Sequence, residues 1–255
     1  MNAVKETKIN QILQLQPSGA VFLSSWMKQK GISYELQRNY KKSGWFDSFG
    51  TGALIRKGDT PIWQSALDSL CHQTELKIHV GAKSALNLQG FGHYLAFNEQ
   101  KIDLFSARAV ILPNWLLKYN WNIKLQLNRT NFLTTSIGLT DYSDKQFTFQ
   151  VSTPSRAIME SLFLSNEDYE FIESYQIMES LTSLRPDEVQ ELLENCHSVK
   201  VVRLFLFMAE KAKHSWFKHI DQSKIEFGKG KRMLVKDGIF LNSYQITIPN
   251  ELAGL

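Results

Sequence analysis

Apolar residues spaced three and four apart divide much of the chain into short helices, and strict alternation marks fewer strands. Ile9, Ile12 and Leu13 share one face of a first helix over residues 2–15, which Gln16-Pro17-Ser18-Gly19 breaks. Ala20, Leu23, Trp26 and Met27 line one side of a second helix from about Ala20 to Lys30. Gly31 ends it, because glycine takes the left-handed conformation of a helix end with least strain. Only Ile32 separates Gly31 from Ser33, a good N-cap for the next helix. A helix, a short glycine-containing turn and a helix form the helix-turn-helix pattern.

On a helical wheel begun at Tyr34, the residues Leu36, Asn39, Tyr40 and Ser43 fall on one arc and make a packing face centred on Leu36 and Tyr40. Tyr34, Gln37, Arg38, Lys41 and Lys42 fall on the other. Gly44 closes this helix, and Trp45 stands where an apolar residue often packs back. Ala53 to Arg56 reads as a strand and Lys57-Gly58-Asp59-Thr60-Pro61 as a tight turn, so a small wing follows, with Arg56 and Lys57 at its tip.

Helices over Trp63 to Leu70 and Gly81 to Leu88 flank a strand at Lys77–Val80. Phe91 to Phe105 reads as two strands around Asn98-Glu99-Gln100. Asn122–Leu127 and Phe147–Val151 alternate as strands. Helices are expected from Pro154 to Leu164, Asp168 to Ser180, Pro186 to Cys196 and Val199 to Lys213, the last apolar nearly all round and hence buried. The end returns to strand at Met233–Val235, Gly238–Phe240 and Tyr244–Pro249. The fold class is α+β: a winged helix-turn-helix over residues 1–95, then a mixed α/β domain over 96–255.

Composition agrees with a folded chain: 43% of its 255 residues are hydrophobic and 21% charged, which excludes global disorder. No run of about 18 apolar residues offers a membrane span. No apolar core follows the start as in a secretory leader, and two cysteines suit a reducing compartment. A cytoplasmic, nucleoid-associated protein is expected. The net charge of +4 is unevenly spread, since residues 28–57 hold seven bases against two acids. That is a footprint for a phosphate-bearing partner. Residues 160–195 hold ten acids and one arginine, whereas 196–236 hold ten bases and three acids. Helices paired by opposite charge or a second docking surface would each account for this.

Catalytic and cofactor patterns are weak. Cys71-His72 and Cys196-His197 lack the close ligand spacing of structural zinc sites, so no metal is expected. Val80-Gly81-Ala82-Lys83-Ser84 lies between a strand and a helix but lacks the first glycine of a phosphate-binding loop. Glu75-Leu76-Lys77, with Asp59 and Asp68 upstream, is the minimal set for a magnesium-dependent nuclease acting on DNA. Nothing else points to an enzyme, and no cofactor is expected. The candidate DNA contacts are Ser33, Tyr34, Gln37, Arg38, Lys41, Lys42, Arg56 and Lys57. Gln37 and Arg38 have the geometry to read base edges, and the remaining cations suit phosphates. Arg156, at a helix start where a cation is unfavourable, calls for either an internal carboxylate or an external ligand. Gly228-Lys229-Gly230-Lys231-Arg232 combines backbone freedom with three cations, and reads either as a loop that shapes itself to an anion, RNA or a nucleotide, or as a solvated hairpin turn.

The run Trp26 through Gly31, Tyr34, Leu36, Tyr40 and Lys42-Ser43-Gly44-Trp45 is similar to the AbiE-type antitoxins. So are Trp63, Ala66-Leu67, His79-Val80-Gly81, Ala85-Leu86, Leu88, Gly90 and His93-Tyr94-Leu95. Further on, Val151 through Ala157, Ser198 through Glu210, Gly228 through Arg232, Tyr244-Gln245-Ile246 and Pro249 resemble the same family. The order and spacing of these motifs carry the resemblance over roughly residues 15–251. It implies an abortive-infection antitoxin of a type IV toxin–antitoxin system. Its N-terminal domain would bind inverted repeats in its own promoter and repress the operon. Its C-terminal domain would counter a nucleotidyltransferase-like toxin without a stable complex. The cations to test there are Arg156, Arg203, Lys229, Lys231 and Arg232. A winged-helix regulator without a toxin is the other non-enzymatic reading.

Overall fold

The computed structural model describes residues 7–91, 101–133 and 136–255. In chain order the elements are α1 (Lys8–Gln14), β1 (Val21–Leu23), α2 (Ser24–Gln29), α3 (Tyr34–Lys42), β2 (Phe46–Gly50), β3 (Ala53–Arg56) and α4 (Trp63–Gln73). There follow β4 (Ile78–Val80), α5 (Ala82–Leu88), β5 (Lys101–Ser106), α6 (Asn114–Lys118), β6 (Lys124–Arg129), β7 (Leu139–Asp144) and β8 (Phe147–Ser152). The chain ends with α7 (Pro154–Leu164), α8 (Asp168–Ser180), α9 (Pro186–Glu194), α10 (Val199–Lys211), β9 (Arg232–Met233), β10 (Ile239–Leu241), β11 (Ile246–Ile248) and α11 (Asn250–Gly254). The expected turn at Asn98-Glu99-Gln100 and the strand before it lie outside the described residues, as does the start of the first helix.

The described chain divides into two compact units, each assembled from separate stretches. The first comprises residues 1–78, 109–125 and 141–150; the second comprises 79–108, 126–140 and 151–255. A five-stranded sheet has the order β6-β5-β4-β8-β7, with Val80 and Val151 paired in parallel. The division falls inside β4, β6, β7 and β8.

The first unit holds a three-stranded antiparallel sheet of order β1-β3-β2 beside α1, α2 and α3. This is a winged helix-turn-helix. Val21, Phe22 and Leu23 form strand β1 and do not begin the second helix, as their spacing suggested. All three are buried, and they pair antiparallel with Ile55, Leu54 and Ala53 of β3, a partner that helical spacing alone does not reveal. The free edge of β1 is closed by a side chain. The Gln73 amide donates to the Val21 carbonyl and accepts from the Leu23 N–H, both at 2.7 Å, as a neighbouring strand would. Phe49 packs against Trp115, Tyr119 and Trp121 of the 109–125 stretch. A Cβ on Gly50 would stand 2.6 Å from that of Trp115, so only glycine admits this close approach. Trp63 and Phe149 meet edge to face, and Asp68 accepts from the Thr148 N–H at 2.8 Å.

The second unit packs α7 between α5, α8, α9 and α10. Glu160 of α7 is completely buried and accepts four hydrogen bonds. Its Oε1 takes His79 Nε2 and Arg156 Nε, each at 2.8 Å. Its Oε2 takes the Ser152 hydroxyl at 2.7 Å and the Ala82 N–H at 3.0 Å. Burial alone would raise this carboxyl's pKa, but its electrostatic and hydrogen-bond interactions with His79 and Arg156 outweigh burial and hold it down to about 2. The phosphate-loop-like segment is thereby explained. The start of α5 is filled by the protein's own carboxylate, and Lys83 pairs with Glu173. A small sheet of order β10-β11-β9 closes the chain, its parallel β9 edge only two residues long.

Candidate nucleic-acid interface

Helix α3 follows a glycine turn and is capped at its start. Gly31, at φ 84°, ends the preceding turn, and the Ser33 hydroxyl caps α3 by accepting from the Leu36 N–H at 3.2 Å. At the other end the Trp45 N–H reaches the Tyr40 carbonyl at 2.9 Å. Trp45 itself is about half exposed and does not pack back.

The buried side of α3 is rotated from the expected one. Gln37 is 3% exposed, and its amide nitrogen donates to the Ser24 and Ile32 carbonyls, each at 2.9 Å. It therefore fastens α3 to the start of α2 and the intervening turn, and cannot read a base. The two carbonyls lie five and thirteen residues upstream, so helical periodicity alone could not expose this role. The outward face carries Tyr34, Arg38, Lys41 and Lys42, as expected, together with Glu35 and Asn39. Asn39, assigned to the packing side by its spacing, is exposed. Lys28 lies 5.2 Å from the Tyr34 ring centroid and adds a cation beside this face.

The wing also differs from expectation. Its hairpin joins β2 to β3 through Thr51-Gly52, so Arg56 and Lys57 lie at its base. The hairpin's sole cation, Arg56, turns inward. Its guanidinium donates to the Leu13 and Gln16 carbonyls and lies 5.8 Å from the Phe22 ring centroid. It holds the end of α1 and is not placed to meet a phosphate. Lys57 remains exposed. Replacing Gln37 or Arg56 with alanine should cost about 1–3 kcal/mol of stability by stranding the buried and half-buried carbonyls they hold. The salt dependence of DNA binding should stay unchanged. Urea unfolding followed by a salt titration of the folded variant separates the two effects, and a shallower salt slope would contradict this assignment.

In the second unit Arg156 has found an internal partner. Besides Glu160 it donates to the Ile137 carbonyl at 2.8 Å. Arg203 is 2% exposed and spends its guanidinium on backbone carbonyls. Neither is available to an external ligand. Lys229, Lys231 and Arg232 are exposed. The acids proposed for a nuclease are not assembled: Asp59 accepts from the Ser18 hydroxyl and the Gly19 N–H, and Asp68 from Thr148. Glu75 and Lys77 are exposed ahead of β4. Cys196 is buried, its thiol pushed up to about 11 by that burial, and Cys71 donates to the Ile78 carbonyl.

No helix among the described residues is long and apolar enough to cross a membrane. A comparison with curated proteins found no match. Among solved structures, the chain resembles the RV2827C protein from Mycobacterium tuberculosis, with a TM-score of 0.58 and 11% identity. The alignment covers 94% of this chain and 89% of that one, a likeness of fold. Residues 5–97 match the family model described as the N-terminal domain of the AbiEi antitoxin transcriptional regulator. Residues 99–249 match the model described as transcriptional regulator, AbiEi antitoxin, type IV TA system. With the winged helix-turn-helix in place and both models matched in order, the chain belongs to the AbiEi antitoxin family of type IV TA system transcriptional regulators.

Proposed function

We propose that this protein represses its own operon by laying α3 in the major groove of inverted repeats in its promoter, and that it separately counters a nucleotidyltransferase-like toxin. The observation that carries the first part is the outward face of α3, where Tyr34, Arg38, Lys41 and Lys42 are exposed on a helix held by a capped turn. Arg38 is the base reader, because a guanidinium matches guanine O6 and N7 in bidentate geometry. Lys41, Lys42, Lys57 and Tyr34 meet the backbone. With its single arginine turned inward, the wing hairpin presents no cation outward, so affinity rests on α3 and its flanks. A gel-shift titration with the protein's own promoter tests this. Binding that loses affinity steeply between low and moderate salt supports it. Equal affinity for promoter and scrambled DNA would overturn the operator assignment.

For antitoxicity we assign the sequence division at residue 95 a functional meaning, with the counteracting activity in residues 96–255. The exposed cations Lys229, Lys231 and Arg232 carry it, and Arg156 and Arg203 support it from inside the fold. Because both compact units draw on residues either side of 95, the test uses the full chain. In cells expressing the toxin, the triple alanine variant at 229, 231 and 232 should fail to restore growth while still repressing a promoter reporter. Full rescue by that variant would refute the assignment of these three cations.

A further inference from the structure

The segment between Phe227 and Arg232 is pinned from beneath by one buried side chain. Arg203 Nε donates to the Phe227 carbonyl at 2.8 Å, Nη2 to Gly228 at 3.0 Å, and Nη1 to Gly230 at 2.7 Å and Gln245 at 2.9 Å. A guanidinium has five N–H donors in a rigid fork, so this loop has one preferred shape. Its carbonyls are drawn inward, which leaves the amide side for something else. Among the described residues, no protein acceptor takes the N–H groups of Gly228, Lys229, Gly230 or Lys231. Gly228 and Gly230 have φ of 67° and 78°, on either side of Lys229. Alternation of φ sign turns successive amides toward one side and makes an anion-binding concavity. The two glycines differ in surroundings. A Cβ at Gly228 would meet Val199 Cγ2 at 2.4 Å, whereas nothing lies within 4 Å of one at Gly230. The loop is thus seated on the protein at one end and open at the other.

The charge around it is uncompensated. Lys229, Lys231 and Arg232 form no salt bridge among the described residues, although Glu226 and Asp237 lie nearby in sequence. Lys231 lies 5.0 Å from the Phe240 ring centroid, so its ammonium is held beside the loop. The pKa of Arg203 is depressed by burial and then by Arg232 beside it. A buried arginine with a second arginine for a neighbour and no carboxylate on either is a site of positive potential, and it favours an anion.

We propose that Gly228–Arg232 is a phosphate-binding loop, its amides and the three exposed cations closing on one phosphate group of a nucleotide or of a polynucleotide backbone. This deepens the antitoxicity reading by naming the ligand chemistry of its cations. It is tested on the full chain labelled with nitrogen-15 at glycine, in a background of Arg38→Ala, Lys41→Ala and Lys42→Ala so that α3 cannot take the phosphate. Inorganic phosphate, adenosine monophosphate and an eight-nucleotide single strand are titrated at fixed ionic strength. The Gly228 and Gly230 amide signals should shift and saturate. Saturation should vanish when Lys229, Lys231 and Arg232 are also alanine, with the other glycine signals unmoved. A tenfold or greater preference for the oligonucleotide identifies the polynucleotide backbone as the source, and equal binding of the monophosphate identifies a nucleotide. Shifts that follow chloride alone, or saturation that survives the triple substitution, would overturn the proposal. The toxin-rescue assay is read separately: phosphate binding with intact rescue retains this site and refutes its role in antitoxicity.

Discussion

Replacing Glu160 with alanine should destabilise the second compact unit by about 3–5 kcal/mol, because Arg156 and His79 are then left buried without their carboxylate. The Ser152 hydroxyl and the Ala82 N–H lose their acceptor in the same step. Glu160→Gln keeps the shape and one carbonyl oxygen but not the charge, so it should fall between wild type and alanine. Urea unfolding followed by circular dichroism reads this directly, and a loss below about 1 kcal/mol for the alanine variant would show the network to be dispensable. The same carboxylate gives a pH dependence with a defined sign. Its folded pKa of about 2 lies below its ordinary value of 4.5. The stabilisation is therefore complete above that ordinary value and declines as pH falls toward 2. About 3 kcal/mol is at stake across that window. Glu160→Gln should flatten the acid limb of the stability profile, and an unchanged limb would locate the titrating group elsewhere.

Promoter binding should drop at least a hundredfold when Arg38, Lys41 and Lys42 are replaced together by alanine. Losing a bidentate guanine contact costs about 1–3 kcal/mol, and each phosphate contact removed takes about one unit from the salt slope. The individual variants separate these terms. Arg38→Ala should relax discrimination at one base pair. Lys41→Ala or Lys42→Ala should weaken promoter and scrambled DNA alike. All three side chains are exposed, so thermal stability should hardly change. Unaltered binding by the triple variant would move the DNA interface off α3. Arg56→Ala, a cation equally prominent in the sequence, should cost stability and leave the salt slope intact.

Local chemistry made the winged helix legible from the sequence, because its signals act within a few residues. Gly31 ends one turn, Ser33 caps the next helix, and Pro154 opens α7, each through the conformation or hydrogen bond of its own neighbourhood. The bounds of α7 and α8 followed from local signals for the same reason, whereas α9 and α10 each stop two residues before the expected end. The family resemblance rested on motifs in these segments and in the loops between them, and both family models match there.

Only tertiary structure decided which polar side chains remain free to act. Gln37, Arg56 and Arg203 are candidate contacts in the sequence, yet each is drawn inward by backbone carbonyls of segments up to 43 residues away. A buried carbonyl must be satisfied, and no local pattern announces which distant side chain will do it. Val21-Phe22-Leu23 became a strand because β3 and the Gln73 amide were there to pair it, against an equally good helical spacing. The sequence alone determined that a capped helix bearing Arg38, Lys41 and Lys42 follows the glycine turn, and where it starts and stops. Packing determined its outward face, and set Arg38, Lys41 and Lys42 apart from the cations that hold the fold together.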